Sequence, residues 1–255
     1  MNGRQRDGRR LAVGTLTVLP VRPPENVDAG VARAMVVWAP IVFVPVAAVV
    51  GLVGWGVVAA GLPGLVAGLL CVGLLAWLTR AIHLDGLADT ADGLGSGRPS
   101  ERALQIMRSG DVGPMGVVTL IVVLGLQAVC MATLLERPWG AVVVAVALCC
   151  GRGALALVAG GGAPAARPDG LGAVFARSVP RWLAVTLWAV LAGVLTGASA
   201  LMGSWWQGLV AAALAALAVA YVVRLAVRRL GGITGDVLGA AVEVATCVLL
   251  VVLAR

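Results

Sequence analysis

The chain has 255 residues, of which 60% are hydrophobic and 12% charged, and its net charge is +7. In a soluble domain of this size about a quarter of the residues are charged. The composition therefore excludes a soluble domain and indicates a polytopic membrane protein. All 19 basic residues are arginine, which excludes a Walker-A lysine and Schiff-base chemistry. The single histidine excludes a multi-histidine metal site. The five cysteines lie in apolar runs without a CxxC pair, which predicts neither disulfides nor zinc.

The N-terminal residues 1–31 are polar and basic. We expect residues 1–10 to form a disordered arm. The stretch from Leu11 to Pro20 is too short to span a membrane and predicts an interfacial helix or a re-entrant piece. No short apolar run with a small-residue cleavage site is seen, so we predict no signal peptide.

Apolar runs dominate the rest of the chain and predict an all-α fold, an integral membrane bundle of about seven transmembrane helices. We expect one membrane-embedded catalytic domain over residues 1–255. Pro40 and Pro45 predict a kink or break in the first run, and Pro114 opens the third. The runs are approximately 34–59, 62–82, 115–135, 139–162, 182–202, 205–223 and 237–254.

The arginines are distributed asymmetrically between the loops. With the N-terminus in the cytoplasm and seven crossings, 17 of the 19 arginines fall on the cytoplasmic side. The positive-inside rule therefore favours this topology, in a cytoplasmic (inner) membrane with the acidic motif facing the cytoplasm. Because the arginines are spread over the loops, we predict no nucleic-acid binding.

An acidic motif, HLDGLADTADG at 83–93, follows the second run. On a helix, Asp85, Asp89 and Asp92 stand at i, i+4 and i+7, within an arc of roughly 60°. Three like charges on one face repel each other unless a cation lies among them. Hard oxygen ligands at a membrane edge suggest Mg²⁺ with a phosphate-bearing substrate. The alternative is a solvated helix end; the spacing does not fit an EF-hand loop.

Two arginines, Arg108 and Arg152, are candidates for a role beyond membrane topology. The segment 94–114 predicts a short helix at about 99–108, followed by either an ordinary connecting loop or a substrate loop in which Arg108 meets phosphate. Arg152 lies inside the fourth run, where a charge is costly and usually faces a polar cavity or a partner. The alternative is that the run ends early and Arg152 is interfacial.

A second polar island, GGITGDVLGAAVE at 231–243, precedes and enters the last run. Asp236 and Glu243 are seven residues apart and share a helix face. The glycines permit close approach to a ligand or another helix. By the span count both islands face the same side, so the two carboxylate clusters are predicted to flank Mg²⁺ and a diphosphate.

At these islands the chain resembles the cobalamin synthases, the membrane-bound adenosylcobinamide-GDP ribazoletransferases of vitamin B12 assembly. The matching pieces cover nearly the whole chain: 17–21, 83–93, 102–116, 152–153, 169–175 and 231–243. The resemblance implies an Mg²⁺-dependent transfer from adenosylcobinamide-GDP to α-ribazole or its 5′-phosphate, giving adenosylcobalamin or its phosphate and GMP. It also implies an integral enzyme of the cytoplasmic membrane with its chemistry on the cytoplasmic side.

The predicted site combines these motifs. The metal ligands are Asp85, Asp89, Asp92, Asp236 and Glu243. His83 joins the three aspartates of its motif as a catalytic candidate, against a capping or packing role. Substrate or phosphate binding is assigned to Arg108, Asp111, Arg152 and Thr234.

The chain departs from the family pattern at three places. Ser109, Gly110 and Asp111 stand where the family often shows Asp-Ser-Arg after Arg108, so the acid is displaced and the second basic residue is lost. Gln105 replaces a common Glu, and Thr246 replaces a common acid.

Two other functions compete with this one. A CDP-alcohol phosphotransferase of lipid synthesis also uses Asp-rich helix ends, but Ala88-Asp89 stands where that family has Ala-Arg. A cation or metabolite transporter would carry its charges nearer the midplane. The expected partners are the corrinoid nucleotide, α-ribazole and the lipid bilayer, and a homo-oligomer is compatible with the sequence.

Overall fold

A computed structural model describes residues 2–255, and in this part of the chain every regular element is a helix. The predicted all-α membrane bundle is therefore confirmed. Six stretches are long and apolar enough to cross a membrane: Ala29–Ala59, Pro114–Leu135, Gly140–Gly160, Arg181–Ala200, Trp205–Leu230 and Gly235–Leu253. Counting the helix pair Gly64–Leu78 and Ile82–Gly95, which is bent by 94°, as one broken span makes seven.

The N-terminal residues expected to be disordered instead form helix α1, Gly3–Leu16. The Asn2 side chain caps it by accepting a hydrogen bond from the Gln5 backbone N–H at 3.0 Å. The helix buries Leu11 and Leu16 and packs along α2, Ala29–Val42. The arm is ordered because these apolar side chains are removed from solvent.

The first span is broken, as its prolines predicted. Helix α2 ends at Val42, Phe43 separates the two halves, and α3 covers Val44–Ala59. Pro40 lies inside α2, and Pro45 lies in the first turn of α3, where its missing N–H costs nothing.

The second run ends in a sharp bend. Helix α4 covers Gly64–Leu78 and α5 covers Ile82–Gly95, with axes at 94° to each other. Arg80 and Ala81 adopt left-handed backbone angles at the bend, with φ of 54° and 53°. The acidic motif therefore lies on a helix that turns away from its own span.

The remaining helices follow the predicted order. The short helix predicted at about 99–108 is α6, Ser100–Ile106, and the third run opens at Pro114 as expected. The fourth run is divided at Arg152 and Gly153. The helices are α7 Pro114–Leu135, α8 Gly140–Gly151, α9 Ala154–Gly160, α10 Gly170–Phe175, α11 Arg181–Ala200, α12 Trp205–Leu230 and α13 Gly235–Leu253.

Helix α13 is the centre of the bundle. In its most apolar stretch 72% of the residues are buried, against 28% in α11 and in α12. It packs against α12, α5, α7 and α8. The second polar island thus opens the most enclosed of the candidate membrane spans.

Candidate active site

The two predicted motifs meet where α5 crosses the start of α13. At this crossing each helix presents a glycine: a Cβ on Gly86 would lie 2.8 Å from the carbonyl oxygen of Asp236, and one on Gly239 would lie 3.2 Å from the Cα of His83. Only glycine permits the two backbones to approach this closely. The expectation that the glycines serve close helix approach is confirmed, and residues about 150 positions apart become neighbours.

A third segment is joined to the same place through backbone hydrogen bonds. The Ile233 N–H donates to the carbonyl of Pro164 at 2.9 Å, and the Ala166 N–H donates to the carbonyl of Ile233 at 2.9 Å. Gly172 of α10 also packs on this strand-like segment, because a Cβ there would lie 2.6 Å from the Ile233 oxygen. The loop that carries Arg167 is therefore fixed beside α13.

Three of the predicted carboxylates face one another here. The charge of Asp89 interacts with those of Asp85, Asp236 and Asp92, and with the guanidinium of Arg167. Asp85 is exposed, and Asp89 and Asp236 are half-buried. Thr234 orients Asp236, since its hydroxyl donates to Oδ2 at 3.1 Å. The arrangement is an acidic cluster, here called the Asp cluster (Asp85, Asp89 and Asp236), with one cation beside it.

Thr234 itself is the N-cap of α13. Its Oγ1 accepts from the Val237 N–H at 3.2 Å while donating to the aspartate. Both polar functions of the hydroxyl are thus engaged within the protein. The residue predicted to bind substrate is placed instead to hold Asp236.

Asp92 is turned away from the Asp cluster. It is buried, and its two oxygens accept the N–H groups of Gly113 and Gly116 at 2.8 and 2.9 Å. These donors belong to the otherwise unpaired amino-terminal groups of α7. Asp92 therefore ties α5 to the start of α7 through both of its oxygens, although its charge still reaches Asp89.

Glu243 and Arg152 lie in the interior of the bundle. Glu243 accepts from Gln127 Nε2 at 2.9 Å and is 3% exposed. Arg152 is fully buried, its guanidinium lies 3.7 Å above the Phe43 ring, and Nη1 is 3.4 Å from Thr246 Oγ1. The two charges are close enough to interact. The structure thus places both residues in the buried interior of the bundle, where the charge of Arg152 also reaches His83.

Arg108 and Asp111 lie on the surface. Nη2 of Arg108 bonds both carboxylate oxygens of Asp169, at 3.1 and 3.0 Å, and both side chains are more than half exposed. Asp111 is exposed in the loop before α7. Neither residue belongs to the Asp cluster.

Arg167 is a further candidate site residue, which was not among those predicted from the sequence. It donates through Nη2 to the Leu104 carbonyl at 2.8 Å, and its charge interacts with Asp236, Asp169 and Asp89. Burial, and next the nearby charge of Arg108, lower the pKa of Arg167. Its position two residues before the matching piece at 169–175 was the available signal.

His83 is buried at the edge of the Asp cluster. It lines a cavity of about 160 Å³ together with Asp85 and Asp236. Its helix begins at Ile82, one residue before it, and Ile82, His83 and Asp85 all line this cavity. The histidine and the aspartate, which a straight helix would point apart, therefore border the same space.

The site has the chemistry of a phosphate-ester centre. Carboxylates supply hard oxygen donors, and a fixed guanidinium supplies paired N–H donors for phosphate oxygens. Across residues 2–255 there is no group of three His, Cys, Asp or Glu side chains close enough together to hold a metal ion by themselves.

Comparison with known proteins gives one consistent family. The family model described as cobalamin-5-phosphate synthase matches residues 8–254. A Nocardioides protein named adenosylcobinamide-GDP ribazoletransferase is 46% identical over 94% of this chain and 95% of its own length. Proteins of the same name from Bradyrhizobium diazoefficiens and Frankia casuarinae are 41% and 35% identical, each over 96% of this chain and over 92% and 93% of their own lengths. No solved structure matches. The chain, with both polar islands inside the matched region, belongs to the cobalamin-5-phosphate synthase family.

Proposed function

We propose that the protein transfers the adenosylcobinamide phosphate moiety of adenosylcobinamide-GDP to α-ribazole or α-ribazole 5′-phosphate, with release of GMP. The family and the names of the relatives support the reaction. The reaction is assigned to particular residues because Asp85 and Asp89 lie close enough to Asp236 for their charges to interact, beside Arg167. An anionic cluster next to a guanidinium suits a diphosphate held through a cation.

Mg²⁺ is the proposed cofactor, and the carboxylates of the Asp cluster can supply part of its oxygen ligands. Mg²⁺ usually binds through one or two carboxylates, several waters and the phosphates of the substrate, so a complete protein cage is not required. The Asp cluster would hold the ion. When bound, it would neutralise charge on the diphosphate and on the departing GMP. Asp92 is left out of this set because both of its oxygens accept backbone N–H groups, and Glu243 because it is buried and accepts from Gln127.

The chain's own residues have separate tasks in this proposal. The guanidinium of Arg167 binds phosphate oxygens and orients the diphosphate. The acceptor hydroxyl oxygen forms a bond to the phosphorus of the adenosylcobinamide phosphate, and the bond from that phosphorus to the GMP oxygen breaks. The hydroxyl proton passes to a base at the cavity, for which His83 is the candidate because it lines that space.

The proposed setting is the cytoplasmic membrane, with the N-terminus and the site on the cytoplasmic side. The arginine distribution supports this orientation. Single cysteines at Ser96 and at Arg137, introduced one at a time into a cysteine-free protein, provide the test. A membrane-impermeant maleimide added to intact cells should label the cysteine that replaces Arg137 and not the one that replaces Ser96. Labelling of the cysteine that replaces Ser96 would show that the orientation is the opposite one.

GMP release from adenosylcobinamide-GDP by the purified protein, with α-ribazole and Mg²⁺, tests the activity. In the variants Asp85→Asn and Asp236→Asn, removal of one charged ligand should raise the Mg²⁺ concentration for half-maximal rate by about tenfold or more. Glu136→Gln is the matched control. Glu136 lies just after the C-terminal end of α7, whereas Asp92 is bonded to the N-terminal end of that helix. An absence of GMP release, or CMP release from a CDP-alcohol, would contradict the proposal.

A further inference from the structure

The cavity beside the Asp cluster is polar on one side and apolar on the others. Its volume is about 160 Å³, and His83 and the two aspartates form the polar side. Helix α1 contributes Leu11 and Leu16 to the apolar walls, and α10 contributes Leu171 and Phe175. The cavity therefore extends from the reacting groups into a hydrophobic recess.

Helix α1 is held over this recess by the chain around the bend between α4 and α5. The Val18 N–H donates to the Leu78 carbonyl at 2.7 Å, and the Arg80 guanidinium donates to the Gly14 carbonyl. At its other end, Gln5 accepts from the Trp38 indole N–H at 3.0 Å. The N-terminal helix is thus a fixed wall of the site.

A second observation points to a ligand in this cavity. His83 is only 7% exposed, and its Nδ1 has no hydrogen-bond partner among residues 2–255. A buried polar atom without a partner costs on the order of 1–3 kcal/mol. The imidazole that borders the cavity is therefore not held by another polar group of this part of the protein on that nitrogen, and an apolar site with a few convergent polar groups is the usual pattern of a small-molecule site.

We infer that this cavity is the acceptor subsite: it takes the flat aromatic base of the ribazole nucleoside against the walls of α1 and α10, with the ribose hydroxyl turned toward His83 and the Asp cluster. The inference rests on the proposed function and adds a location for one of its two substrates. It also gives α1 a task in acceptor selection.

Size and polarity distinguish the acceptor from the other substrate. The volume of about 160 Å³ is below the roughly 300–1,000 Å³ of sites for drug-sized ligands, so a corrin macrocycle is too large. Guanine carries hydrogen-bonding groups around its ring edge, and apolar walls would leave them unpaired. A benzimidazole base has few such groups and is mostly apolar surface.

Gly235 offers a way to fill the cavity from within. It lines the space, and a Cβ there would meet only Leu171 side-chain atoms, at 3.5 and 3.9 Å. Gly235→Ala and Gly235→Val should therefore add one and then three carbon atoms to the recess without displacing backbone. Thr15→Leu fills it from α1, and its hydroxyl bonds only within its own helix, to Leu11.

The measurement is the KM for each substrate in GMP release, together with direct calorimetric titration of α-ribazole alone. Gly235→Val and Thr15→Leu should each raise the KM and the Kd for α-ribazole about tenfold or more, since a methylene-sized misfit is worth about 10–200-fold. The KM for adenosylcobinamide-GDP should stay within about twofold. Gly73→Ala is the matched control, because nothing lies within 4 Å of its new Cβ.

Unchanged α-ribazole binding in a folded Gly235→Val or Thr15→Leu protein would overturn the assignment. So would a rise confined to the KM for adenosylcobinamide-GDP. If the wild-type protein binds α-ribazole but releases no GMP, the proposed reaction fails while the titration still tests the subsite. If GMP is released and neither variant alters α-ribazole binding, the subsite fails and the reaction stands.

Discussion

The crossing of α5 and α13 can be tested by adding a single methyl group at Gly86. Its Cβ would lie 2.8 Å from the Asp236 oxygen and 3.0 Å from the Asp236 Cα, where ordinary contact begins at 3.4 Å. The helices must therefore separate by about 0.6 Å (3.4 − 2.8), because the opposing atoms are backbone and cannot rotate away. Overpacking of this kind costs about 1–3 kcal/mol, and the better helix propensity of alanine returns about 1 kcal/mol.

The larger effect should be on catalysis. The crossing sets the distance between the carboxylates of α5 and Asp236, and a misplacement of about 1 Å can cost about 100-fold in rate. Gly86→Ala should therefore lower kcat/KM for GMP release by at least about tenfold, with a modest loss of thermal stability in detergent. Gly73→Ala, in α4, makes the same chemical change in open space and should keep wild-type activity. Wild-type kcat/KM in Gly86→Ala would refute the close crossing as the element that assembles the site.

The remaining predictions concern residues that the structure separates from the Asp cluster or adds to it. Asp92→Ala should destabilise the protein by roughly 2–4 kcal/mol, since two buried backbone donors lose a charged acceptor; thermal unfolding measures this, and an unchanged Tm would contradict the anchoring role. Arg152→Met should cost about 3–5 kcal/mol because Glu243 is left without its compensating charge, and adding Glu243→Gln should restore part of the loss in a double-mutant cycle. Arg108→Ala should change stability by less than about 1 kcal/mol, as expected for an exposed ion pair. Arg167→Ala should raise the KM for adenosylcobinamide-GDP by about tenfold or more; an unaltered KM would exclude Arg167 from diphosphate binding.

Hydropathy was sufficient to predict the spans, because a bilayer requires long apolar helices whatever they pack against. The breaks at Phe43 and before Pro114 were equally local, since proline acts on its own helix. The pairing of the two polar islands also followed from the chain, through the count of crossings and the glycines in each island. These features depend on neighbours in sequence or on the membrane as solvent. They can therefore be predicted without knowledge of how the helices pack.

The roles of individual carboxylates depended on the tertiary structure. Asp85, Asp89 and Asp92 share a helix face, yet Asp92 is used by the start of α7, because a buried carboxylate goes to the nearest unpaired donors. Arg167 became a site residue only through the hydrogen bonds that join its loop to Ile233. Helix α1 is polar and basic along its first half, and its order depends on the burial of its own Leu11 and Leu16 in packing that involves α2. The sequence predicted the two polar islands that supply the candidate carboxylates, and packing decided which of those carboxylates face each other, since long-range contacts depend on surfaces that no local pattern contains.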